Sequence, residues 1–121
     1  MTHPYLESAV THNIKINQGA LYKWTFTWKD ANDAIVDLTG TTVRMSLRTS
    51  YDAASATVAW TSPTNITISA TAPSVTISVL ATATAAITAG DYVYDLEIDF
   101  GAGDVVRLFE GYATVTPQAT Y

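Results

Sequence analysis

The stretch Gly90-Asp91-Tyr92-Val93-Tyr94-Asp95-Leu96-Glu97-Ile98-Asp99-Phe100 decides how the chain is read. Tyr92, Tyr94, Leu96, Ile98 and Phe100 take alternate positions, and Asp91, Asp95, Glu97 and Asp99 fall between them with Val93. Successive side chains of a strand point to opposite faces, so the segment predicts one apolar face and one acidic face. An apolar face that carries two tyrosines and a phenylalanine must be covered, and the rest of the chain has to supply the cover.

The strongest match lies in residues 21–28. Tyr22, Trp24, Phe26 and Trp28 share one face, while Lys23, Thr25 and Thr27 share the other with Leu21. Aromatic side chains bury on the order of 150–250 Å² each. This face is therefore expected to be core, packed against the 92–100 face across a sandwich. Trp60 and Tyr51, close to loop sequence, are the aromatics expected at the surface.

Shorter alternations occur at 13–17, 34–38, 43–47, 58–60, 65–69, 74–80 and 105–115. Between them stand turn signals: Gln18-Gly19, Asp30-Ala31-Asn32-Asp33, Thr39-Gly40, Ser62-Pro63, Ala72-Pro73 and Gly101-Ala102-Gly103-Asp104. Gly111, inside the last strand, marks a bulge or close packing under an aromatic. Residues 81–89 are rich in alanine and free of proline and glycine, so one short helical turn is expected there, ended by Gly90. About seven to nine short strands with turns between them predict an all-β sandwich or barrel. Residues 1–12 are read as an N-terminal arm and 13–121 as a single β-sandwich domain.

Composition narrows the function classes. The chain has 121 residues, enough for one two-layer core. It has no cysteine, which excludes disulfides and thiolate metal sites. Only six Lys and Arg stand against eleven Asp and Glu, for a net charge of −5, and the basic residues are scattered. That pattern does not suit a nucleic acid backbone. No apolar run approaches the roughly 20 residues that span a bilayer, and residues 1–7 lack the regions of a secretory signal, so no membrane partner is expected. Charged residues make up 14% of the chain against about 25% in a typical domain, leaving a surface of Thr, Ser and Asn suited to neutral contacts with partner chains.

No catalytic set can be assembled. His3 and His12 have no carboxylate at a catalytic spacing, and there is no G-x-S-x-G elbow. Asp95, Glu97 and Asp99 share a strand face at about 6–7 Å intervals, too widely spaced for one hard cation without a covering loop. They are expected to face solvent or to pair with Arg44, Arg48 and Arg107. Asp30, Asn32 and Asp33 begin like a calcium loop but lack its glycine and terminal glutamate, so they read as a turn. Phosphate loops, dinucleotide fingerprints and zinc spacings are absent. The sequence thus predicts a non-enzyme with no catalytic, cofactor-binding or metal residues. Exposed aromatics leave a monomeric carbohydrate-binding module as the competing class.

Three segments, taken as an ordered set, carry a family resemblance. They are Ile35-Val36-Asp37-Leu38-Thr39-Gly40 with the 43–47 strand, Ala89-Gly90-Asp91-Tyr92-Val93-Tyr94-Asp95-Leu96, and Gly103-Asp104-Val105-Val106-Arg107-Leu108-Phe109-Glu110-Gly111 ending in Val115-Thr116-Pro117. The chain from about residue 17 to 120 resembles the small immunoglobulin-like β-sandwich proteins of tailed bacteriophages, such as the N-terminal domains of baseplate upper proteins and related tail or neck components. The resemblance implies an immunoglobulin-like antiparallel sandwich and a structural role in the virion, made in the host bacterial cytoplasm. Its partners would be copies of itself in a symmetric array and other virion proteins. Baseplate upper proteins continue into a further domain where this sequence ends at Tyr121, so an adaptor, neck or capsid decoration (cement) protein is expected rather than a fibre holder. Residues 1–11 and 117–121 are the expected contacts between chains. Tyr92 falls where an immunoglobulin-like sandwich has its tyrosine corner, which puts Tyr94 at the position of the second bridging cysteine.

Overall fold

A computed structural model of the chain describes residues 10–29, 38, 40–69 and 74–119. In chain order the elements are β1 (Val10–Thr11), β2 (Ile14–Asn17), β3 (Tyr22–Phe26), β4 (Thr42–Arg48), β5 (Val58–Thr61), β6 (Ile66–Ser69), β7 (Ser74–Val79), α1 (Ala81–Ala85), β8 (Gly90–Asp99) and β9 (Val105–Thr116). The expected turn at 30–33, the strand at 34–38 apart from Leu38, the break at 72–73, and most of the arm lie outside the described residues.

The strands form two sheets. In the larger, β1 and β2 both pair with β9, followed by β8, β4 and β5; in the smaller, β3, β7 and β6 lie side by side. The opening stretch is the central strand β8, held by β4 on one side and β9 on the other. Its inward residues Tyr92, Tyr94, Leu96 and Ile98 are buried with Val43, Met45 and Leu47 of β4 and Val106, Leu108, Ala113 and Val115 of β9. Ile66, Val75, Ile77 and Val79 close the core from the smaller sheet. Period-two alternation is what makes each sheet apolar on one face only, and two such faces can bury each other.

The class is an immunoglobulin-like β-sandwich, and two features besides the two-sheet layout define it. The Tyr92 hydroxyl donates to the Thr88 carbonyl at 2.5 Å, closing a tyrosine corner at the entry to β8. Two residues on, the fully buried Tyr94 meets Trp24 of β3 edge-on across the sheets, with ring centroids 6.5 Å apart at 81°. An aromatic contact thus stands where antibody domains carry their inter-sheet disulfide. One departure from the expected antiparallel sandwich is that β1 and β2 run parallel to β9. The chain enters along the edge of one sheet and crosses at Gln18-Gly19 to the other, so its first strands meet β9 from a distance of about a hundred residues rather than through a hairpin.

Several local expectations change. The bulge in β9 is at Leu108, not at Gly111: Leu96 pairs with Phe109 and Glu97 with Arg107, which leaves Leu108 without an opposite number. This slip lets Val106 and Leu108 point inward on one side of it and Ala113 and Val115 on the other, although their spacing breaks strict alternation. Gly111 is instead the close approach, beneath the backbone that joins β1 to β2. Trp60, expected at the surface, is 4% exposed. It lies opposite Met45 on an inward position of β5 and stacks against Tyr22 at 6.4 Å. Of the aromatic face at 22–28 only Trp28 is fully buried, while Tyr22, Trp24 and Phe26 are half-buried against the core. The reason is positional, because β3 is the edge of a three-stranded sheet rather than its centre.

Candidate functional site

The outward face of the larger sheet gathers most of the charged groups, and its layout follows from strand register. Tyr112, Val93 and Arg48 form one row across β9, β8 and β4; Glu110, Asp95 and Ser46 form the next. Arg107, Glu97 and Arg44 form the third. Neighbouring strands lie about 4.8 Å apart, so side chains in a row can touch.

Most of the carboxylates expected to pair with arginines do so. Arg44 lies 3.1 Å from Asp99 and 3.7 Å from Glu97. Arg107 lies 3.4 Å from Asp95 and 3.5 Å from Glu110. The Gly101 backbone N–H, with Arg44 second, holds the Asp99 carboxyl below the usual carboxylate range. Arg48 departs from expectation: its Nη1 donates to the Ala53 carbonyl at 3.0 Å, and among the described residues it makes no ion pair. That bond ties down the loop between β4 and β5, and with it Tyr51, which is 58% exposed as expected. Tyr51, Ser46, Arg48, Val93, Tyr94 and Asp95 line a shallow open hollow. Burial together with the charges of Glu110 and Asp95 raises the Tyr51 hydroxyl pKa. Tyr112, across the hollow, is 63% exposed.

The remaining polar groups fasten the fold. The Tyr94 hydroxyl donates to the His12 carbonyl, and burial raises its pKa above the ordinary tyrosine value. Burial likewise pushes the Tyr22 hydroxyl up to about 12. His12 stacks on Trp24 at 4.9 Å, and its own N–H donates to Glu110 O at 2.9 Å. Among the described residues His12 therefore sits with an aromatic cluster and backbone, with no nucleophile or carboxylate bonded to its ring. His3 lies outside the described residues. At one end of the sandwich, the buried Thr84 hydroxyl donates to Ala20 O at 2.8 Å and accepts from the Gly19 N–H at 3.1 Å. Gln18 bonds both Ile87 O and the Gln118 N–H there. This staple was not legible in the sequence, because Thr84 sits in an alanine- and threonine-rich run with no pattern to single it out. Among the described residues no group of three or more His, Asp or Glu is placed to hold a metal ion, and no helix is long and apolar enough to cross a membrane.

No family model matches the chain, and no curated protein does. Among solved structures, the chain is similar to the extracellular domain of the voltage-gated sodium channel beta4 subunit, described as a parallel homodimer with a role in cell–cell adhesion. Identity is 12% over 93% of this chain and 98% of that one, with a TM-score of 0.39. A likeness of that size assigns neither family nor function.

Proposed function

We propose that the chain is a non-enzymatic structural protein of a tailed bacteriophage virion, assembling through symmetric contacts as a tail, baseplate or neck adaptor component. Its partners are copies of itself and other virion proteins. One observation carries the reading: most of the carboxylates of the charged face, and both buried tyrosines of β8, are occupied in holding the sandwich. Asp95, Glu97, Asp99 and Glu110 are paired with arginines of their own sheet, and Tyr92 and Tyr94 are bonded to backbone carbonyls. What remains for function is surface, and that surface is poor in charge and carries exposed tyrosines. Of the segments that resemble the phage sandwiches, the described parts fall on fold determinants, namely β4, the tyrosine corner and the hairpin into β9. They support the resemblance at the level of architecture.

Two measurements test the proposal. Native mass spectrometry of the purified protein should show assembly beyond the monomer, and quantifying the chain in purified particles should place it in the virion. A tail or neck ring would hold about a dozen copies or fewer, and a capsid decoration protein would be present in hundreds. A discrete monomer with measurable affinity for glycans, absent from particles, would overturn the reading.

A further inference from the structure

The outward face of the larger sheet carries two charges, the half-buried Arg48 and the exposed Asp91, that its own ion-pair network does not use among the described residues. Arg48 on β4 makes no ion pair among the described residues. Asp91 on β8 is exposed and has no partner among them. Arg48 lies opposite Val93, two residues from Asp91. With strands about 4.8 Å apart and about 3.4 Å per residue, the two side chains leave the sheet about 8 Å from each other. Between and beside them stand Val93, which is half-buried, and the exposed Tyr112.

The geometry points to this face as an isologous interface between two copies of the chain, in which Arg48 of each copy pairs with Asp91 of the other. The inference rests on the assembly reading above and names the surface. A two-fold axis lying between the stacked faces, halfway between Arg48 and Asp91, exchanges these two positions. Each unlike pair is then made twice, as closed symmetry requires. The same operation brings Val93 and Tyr112 close to the axis, so an apolar and aromatic centre is ringed by charge. It also sets Lys15, exposed on β2 and unpaired among the described residues, above Asp95 of the other copy. Tyr and Arg at the centre with ion pairs around them is the arrangement in which a few residues supply most of the binding energy. Charge complementarity argues for a second copy as the occupant. A nucleic acid would be repelled by Asp91, Asp95, Glu97 and Asp99.

Sedimentation velocity from about 1 to 500 µM, the range of weak to moderate interfaces, tests the assignment with three variants. Arg48→Asp places two carboxylates together across the interface, and Asp91→Arg places two guanidinium groups together, so each alone should weaken self-association about tenfold or more. Mixed in equal amounts, the two variants should associate with each other, because the mixture restores unlike charges at both contacts. Tyr112→Glu, at a position too exposed to threaten the fold, should weaken association as well and covers the case in which Arg48→Asp loosens the loop held through Ala53. Wild-type protein that stays monomeric over the whole range overturns both this inference and the assembly reading. Wild-type association left unchanged by Tyr112→Glu and Asp91→Arg overturns the face while leaving assembly standing. Weakening by both single charge variants, with the variants folded and no rescue on mixing, overturns the Arg48–Asp91 pairing.

Discussion

Gly111→Ala should be among the most destabilising single-methyl changes in the molecule, and a matched control separates the reasons. A Cβ at position 111 would lie 2.7 Å from Asn13 Oδ1 and 2.9 Å from the His12 carbonyl oxygen. The residue also has φ +156°, which L side chains rarely adopt. Gly90 has nearly the same backbone, φ +151°, yet an added Cβ there meets nothing within 4 Å. Gly90→Ala therefore measures the backbone strain alone, about 1–3 kcal/mol. Gly111→Ala adds the cost of overpacking against the β1–β2 connection, about another 1–3 kcal/mol. The asparagine side chain can rotate away, but it would then release the Tyr112 N–H it accepts at 3.0 Å. The His12 carbonyl is backbone and is also held by the Tyr94 hydroxyl, so it cannot yield cheaply. Urea denaturation of both variants, compared at constant m, reads the difference directly. Equal losses for the two substitutions would refute the close approach and with it the seating of β1 and β2 on β9.

Removing the tyrosine-corner hydroxyl with Tyr92→Phe should cost about 1 kcal/mol for the lost bond to Thr88, whereas Tyr92→Ala should cost about 3–5 kcal/mol as a buried aromatic truncation; denaturant midpoints distinguish the two. Trp24→Ala is expected at the lower end of that range, since Trp24 is only half-buried, and midpoints near wild type would remove it from the core. Alkaline stability follows the buried phenols. Tyr22 is held neutral up to about 12 in the fold against 10 in the unfolded chain, so stability is intact below pH 10 and falls between about pH 10 and 12 as only the unfolded form ionises. Tyr22→Phe should flatten that loss in pH-dependent melting, and an unchanged slope would assign it elsewhere. At acid pH the depressed carboxyl of Asp99 contributes stability that is present above the ordinary carboxylate pKa and lost as pH falls through its lower folded value, so Asp99→Asn should blunt acid unfolding slightly.

How much of this was legible in the sequence depends on whether a residue's role is local. The two-faced strand at 90–99 could be read because its period of two extends over ten residues, and its acidic face met Arg44 and Arg107 as strand pairing demands. The tyrosine corner followed from the resemblance to immunoglobulin-like sandwiches, and its partner, Thr88, lies four residues away. Gly111 could be read only as a bulge or as close packing, and it proves to be closely packed; the bulge itself, at Leu108, is a phase slip that no conspicuous residue marks, with inward positions at 106 and 108 and then at 113 and 115. Trp60 was misjudged from its nearness to a loop, when the position that mattered was its place opposite Met45. That Arg48 and Asp91 make no ion pair among the described residues was out of reach, because it depends on which carboxylates the other two arginines take. That choice is settled only once β4, β8 and β9 are in register.

The contact between Trp24 and Tyr94 carries a consequence for where the fold can form. A disulfide closing a loop of about 70 residues would stabilise by roughly 4 kcal/mol through the unfolded chain, and would do so only in an oxidising compartment. This chain has no cysteine with which to make one. In its place Tyr94 is 1% exposed, its hydroxyl is satisfied by the His12 carbonyl, and Trp24 packs at once against Phe26, Phe109 and His12. Aromatic pairs add about 0.5–1.5 kcal/mol each beyond their burial, so a cluster of this size offsets the missing crosslink by acting on the folded state rather than the unfolded one. A stabilisation of that kind is indifferent to redox poise. The sandwich can therefore complete itself in a reducing compartment as readily as in an oxidising one.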